Sequence, residues 1–282
     1  MKEKSRSIIK YFAITFLISW VVWAPFVLAG FGLYEMTDLL KGLLTPAVVI
    51  GAFSPLISAV ILVYKEGKWK AVRNYFKEKL NFRIKWVYYV LAIAIPFGVT
   101  IIAHYFTIWT GIDNLPNNLF PEGWDIPVIA VLIPYIIFIA LFGGGQEEFG
   151  WRGYVQDPLQ EKFGVVKGSL LLGIVWAVWH LPLWFIPGEG HQYYSFFAFG
   201  LFTICLSVII GVLYNASGKK MVVPWIVHTI SNTSVPLFPV LFLADVPQPG
   251  YWVWVIVNVI TATILVIWYQ QKNSNSLSKG NS

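Results

Sequence analysis

The chain has 282 residues, of which 57% are hydrophobic and only 12% charged, with a mean hydropathy of +0.66. An average soluble domain is about 45–50% apolar and about 25% charged, so this chain has too few charges to cover a soluble surface. Disordered chains, nucleic-acid binders and ordinary cytosolic enzymes are thereby excluded. Cys205 is the single cysteine, which rules out an intrachain disulfide and a cysteine-based metal cluster. The composition is that of a polytopic membrane protein, an all-α transmembrane helical bundle.

A helix crossing about 30 Å of hydrocarbon needs roughly 20 mainly apolar residues. Eight such runs are expected, in chain order Ile8–Ala29, Gly42–Tyr64, Trp86–Thr110, Ile126–Phe142, Lys167–Ile186, Phe196–Tyr214, Val223–Ala244 and Tyr251–Tyr269. The first ends in Val27-Leu28-Ala29, which resembles a signal cleavage site, but its apolar core is longer than a signal's and reads as an anchor. Eight spans put both termini on one side. With that alternation every lysine and arginine except Lys41 falls on the terminal side, which the positive-inside rule makes cytoplasmic. The opposite segments carry Glu35, Asp38, Asp113, Glu122, Asp125, Glu189 and Asp245.

The chain divides into N-terminal helices (1–125), a polar-motif core (126–244), a last helix (245–269) and a tail (270–282) whose Asn, Ser and Lys content predicts disorder. The basic loop 65–85 interleaves lysines and arginines with Trp69, Tyr75, Phe76, Leu80 and Phe82. That pattern predicts a helix on the anionic inner leaflet, aromatics down and cations up.

An ionisable group at membrane depth costs about 2.5–3.5 kcal/mol on insertion scales, so it has a partner and a task. Three clusters qualify. In the first, Gly143–Tyr154, Glu148 and Arg152 are four apart and share a helix face. Glu147 is turned about 100° away, free to exchange protons as a general base. The second is His180, next to Pro182 in the fifth run; the third is His228 with Asn232, four apart in the seventh. Each also has a structural reading: a charged helix stop with a snorkelling arginine, a histidine satisfying freed carbonyls, or helix–helix hydrogen bonding. Together they suggest one wet cavity, although rise per residue places His180 deeper than Glu147 and His228. His104 reads as a satisfied intramembrane residue and His191 as a loop residue.

These motifs resemble the CPBP family of intramembrane proteases, which includes the type II CAAX prenyl endopeptidases. The pattern E-E-x-x-x-R, F-x-x-x-H, H-x-x-x-N is matched by Glu147-Glu148-Phe-Gly-Trp-Arg152, by His180, and by His228-Thr-Ile-Ser-Asn232, with Gly153-Tyr154 also typical. One departure is Trp176, where the family usually has phenylalanine. The resemblance spans about Ile126–Ala244. It implies an endopeptidase acting on a membrane-associated peptide or protein near the cytoplasmic face. Glu147 and His180 would activate water, His228 and Asn232 would hold the oxyanion, and Glu148 and Arg152 would assist or orient. It leaves open whether Glu147, His180 and His228 bind a divalent metal such as zinc or work without one. The partners expected are anionic lipid and a peptide or small membrane protein, with no nucleic acid, in a bacterial cell membrane. Two other readings stand beside this one. Relatives that act as sensor-kinase scaffolds or self-immunity proteins imply a binding role, and a transporter would show repeats or paired broken helices, neither of which is present.

Overall fold

A computed structural model describes residues 2–116 and 128–280, and among them the chain is helical with no strand. The helices are α1 (Lys2–Gly30), α2 (Asp38–Ala52), α3 (Ser54–Lys79), α4 (Trp86–Trp109), α5 (Val128–Phe142), a one-turn α6 (Glu148–Gly150), α7 (Gln156–Phe163), α8 (Val165–His180), α9 (Phe196–Ala216), α10 (Val222–Leu237) and α11 (Pro249–Gly280). A helical bundle satisfies its own backbone, as an apolar solvent requires. Several buried hydroxyls are satisfied within their own helix: Thr15 donates to the Tyr11 carbonyl and Ser19 to that of Thr15. The outer face is apolar, and on α11 Ile256, Ile260, Ile264 and Ile267 form an exposed stripe at helical spacing.

Among the described residues, six helices are long and apolar enough to cross a membrane, or seven if the bent pair α2 and α3 is one span. The helices differ from the eight expected runs at two places. The second run is broken after Ala52, where Pro55 opens α3 and the axis bends by 43°. The seventh is shorter than its apolar stretch: α10 stops after 16 residues, about 24 Å at the helical rise and less than the hydrocarbon thickness. Pro236 and Pro239 sit at that end and break the ladder. The start of the fourth run and the acidic Glu122 and Asp125 lie outside the described residues.

Two further differences concern the polar segments. Within α3 the helix is interrupted at Gly67 and Lys68, the latter left-handed at φ 55°. The arm beyond it turns Val72, Tyr75 and Phe76 toward the protein, where the Tyr75 hydroxyl donates to the Phe149 carbonyl and Phe76 packs on Phe149. Only Trp69, Leu80 and Phe82 of the five expected lipid-facing side chains are exposed. The tail expected to be disordered continues α11 as helix to Gly280; extending an existing helix avoids the cost of nucleation.

α9 is the centre of the bundle, with α8, α10 and α11 against it. Small residues allow the close approach of α8 to α9: a Cβ on Gly173 would lie 2.7 Å from the Ile204 Cα, and Ser207 donates to the Ser169 carbonyl at 2.8 Å. α10 is anchored to α4 by a Thr100–Ser234 hydroxyl pair at 2.8 Å. His104 is satisfied as expected, its Nδ1 2.7 Å from the Pro239 carbonyl.

Candidate active site

Three glycines end α5 and allow the chain to fold back beneath α10. Gly144 has φ 130°, and a Cβ there would lie 2.5 Å from His228 Nε2 and 2.8 Å from Asn232 Nδ2. Gly145 is pressed against the Ala140 carbonyl and the Trp225 indole. Gln146 closes the turn, its Oε1 accepting from the Gly144 amide at 2.9 Å. The chain then passes through a 3-10 turn (Gly145–Glu147), α6 and a π-helical turn (Trp151–Val155). π-Turns recur at functional sites because the extra residue re-aims neighbouring side chains.

The two carboxylates separate as the spacing predicted. Glu148 is fully buried, and its Oε1 accepts from Arg152 Nη1 and from His228 Nδ1, each at 2.8 Å. Glu147 faces the other way. Its Oε2 accepts from two indoles, Trp151 Nε1 at 3.1 Å and Trp176 Nε1 at 3.0 Å. Trp176 also carries the Arg152 guanidinium over its ring at 4.8 Å and meets the His228 ring edge-on at 4.9 Å. Its carbonyl lies 2.9 Å from His180 Nδ1. A carbonyl only accepts, so His180 carries its proton on Nδ1 and leaves Nε2 as the available base. Asn232 gives one amide hydrogen to the Gly143 carbonyl at 2.8 Å and retains a second.

A cavity of about 510 Å³ is lined by Glu147, His180, His228 and Asn232 together. His180 and the other two, expected at different depths, thus line one cavity. Glu148 and Arg152 stand behind this wall, holding His228.

The same cavity reaches Glu189 and His191, in the segment between α8 and α9. Glu189 Oε2 accepts from His191 Nδ1 and from its backbone amide, both at 2.6 Å, and the His191 ring stacks 6.0 Å from that of His180. Burial alone would raise the Glu189 carboxyl; the hydrogen bonds and charge of His191 outweigh it and hold the group below its ordinary value. Their signal in the sequence was a Glu-Gly-His turn flanked by glycine and aromatic residues, which spacing alone does not aim at a cavity. The Trp151 and Trp176 N–H groups were missed for the same reason.

Among the described residues no group of three His, Cys, Asp or Glu side chains converges on one metal position.

Glu147, His180, His228 and Asn232 thus line one cavity inside an apolar bundle, with Glu148 and Arg152 behind it. Residues 127–234 match the family described as Type II CAAX prenyl endopeptidase Rce1-like. The chain is 26% identical over 252 residues to "CAAX prenyl protease 2" of Methanococcus maripaludis, covering 82% of this chain and 84% of that one. It is 24% identical over 194 residues to "Lysostaphin resistance protein A" of Staphylococcus aureus, covering 67% of this chain and 39% of that one. Over residues 127–234 the chain is thus similar to the type II CAAX prenyl endopeptidases.

Proposed function

We propose that the protein is an intramembrane endopeptidase that hydrolyses a peptide bond of a membrane-associated peptide or small membrane protein near the cytoplasmic face. The observation that carries this reading is the single cavity lined by Glu147, His180, His228 and Asn232. Glu147 and His180 Nε2 hold the attacking water, and Glu147 takes its proton as the oxygen adds to the carbonyl carbon. The tetrahedral oxyanion faces His228 and Asn232. Because Nδ1–H of His228 is given to Glu148, Nε2 donates to the oxyanion when the ring is the imidazolium, and the Glu148 carboxylate stabilises that charge. The C–N bond breaks as the leaving nitrogen receives the proton that Glu147 took from water. General acid–base help is worth about 10²–10⁴-fold, and an oxyanion donor about 10²–10³-fold. No serine or cysteine nucleophile is required.

The test compares membrane and secreted peptides of host cells carrying wild type, Glu147→Ala or no protein. New peptide ends found only with wild type support proteolysis and disclose the substrate. Equal peptide ends in wild type and Glu147→Ala reject the catalytic reading and favour a binding scaffold.

A further inference from the structure

We propose that Trp176 is a positioning residue for the candidate site: with Trp151 it clamps one oxygen of Glu147 so that the other faces the cavity water. The inference rests on Glu147 being the base proposed above. Two indole N–H groups approach Oε2 from different helical segments, at 3.1 Å from Trp151 and 3.0 Å from Trp176. Two bonds on one oxygen fix both the rotamer and which oxygen is committed, leaving Oε1 for the cavity.

Trp176 is suited to this because it touches most of the polar groups of the site. Its N–H holds Glu147, its ring face carries Arg152, its edge meets His228, and its carbonyl takes the Nδ1–H of His180. Trp176 is nearly fully buried, at 2% exposure, and Trp151 is at 0%. Phenylalanine at this position keeps a ring under Arg152 and against His228 and leaves the His180 bond to the main chain intact. What it removes is the N–H to Glu147. The tryptophan is therefore explained by that one bond, and a single substitution isolates it.

The test uses purified full-length protein in detergent micelles, with an internally quenched prenylated CAAX-type peptide as the probe. Trp176→Phe is expected to lower kcat by about 10- to 100-fold, the range of a hydrogen bond to a charged group, while KM stays at the wild-type value. A replacement by benzothienylalanine, which has sulfur in place of the indole N–H, keeps the volume and carries the same expectation should the phenylalanine variant not fold. In protein labelled with ¹⁵N at the tryptophan indoles, Glu147→Ala is expected to move the Trp176 and Trp151 N–H resonances upfield. Unmoved resonances, or a Trp176→Phe protein with wild-type kcat, overturn the clamp. If wild type does not cleave the peptide, the protease reading loses support from this probe, and the resonances still decide the clamp.

Discussion

Glu148 Oε1 lies 2.8 Å from both Arg152 Nη1 and His228 Nδ1, so one fully buried oxygen ties the π-turn to α10. The remaining guanidinium nitrogens Nε and Nη2 have no hydrogen-bond partner and are covered by the Trp176 ring instead. Breaking a buried pair by deleting one member strands the other charge, at about 3–5 kcal/mol. Arg152→Ala is accordingly expected to lower the melting temperature strongly in detergent as well as to abolish cleavage. Arg152→Lys restores the charge without the planar face, so it should recover stability only in part. Thermal unfolding of the three proteins decides this, and an Arg152→Ala protein that melts with wild type would remove the structural role.

Gly144 gives a sharper test of the site's shape. A methyl there would sit 2.5 Å from His228 Nε2, and its φ of 130° is one that an L side chain rarely adopts. Gly144→Ala is expected to cut activity by more than about 100-fold by displacing the oxyanion donors. Gly98→Ala, in a helix where a Cβ meets nothing within 4 Å, is expected to leave activity unchanged and serves as the control. Activity in Gly144→Ala equal to that of the control would show that His228 does not need this approach.

The acid pair, both histidines and Asn232 were legible because each motif carries helical spacing and helices preserve spacing in space. Hydropathy located the bundle for the same reason: burial in lipid constrains composition residue by residue. The break before Pro55 and the short α10 were hidden because both lie inside continuous apolar stretches, where hydropathy does not register a bend or an early stop. The Trp176–Glu147 bond joins residues 29 positions apart, and the Tyr75–Phe149 bond joins residues 74 apart. Neither has a period to read. The basic arm beyond Lys68 was read as amphipathic from its composition, yet Tyr75 and Phe76 turn to the protein, since the left-handed Lys68 resets the helical phase.

The Glu189–His191 pair makes a pH-dependent prediction outside the spans. The Glu189 carboxyl is held below its ordinary value in the folded protein, against the effect of burial, by His191 and by the amides of His191 and Gly190. A depressed carboxyl contributes stability that is fully present above its unfolded value and disappears as pH falls through the folded one. Wild type should therefore melt above Glu189→Gln at neutral pH, and the gap should close on acidification below the ordinary carboxylate range. A gap that stays constant with pH would assign the effect to packing.

Asn232 supplies the last test, because its amide has two hydrogens and only one is given to the Gly143 carbonyl. If the second faces a developing oxyanion, Asn232→Ala lowers kcat by about 10²–10³-fold with little change in KM, since a donor used only in the transition state does not contribute to substrate binding. Combining it with Glu147→Gln should cost much less than the product of the two single effects, because groups that act as a unit are not additive. Full multiplicativity would instead place Asn232 in a role separate from the acid–base step. A rise in KM alone would mean that its amide only binds substrate, and the oxyanion would then be left to His228.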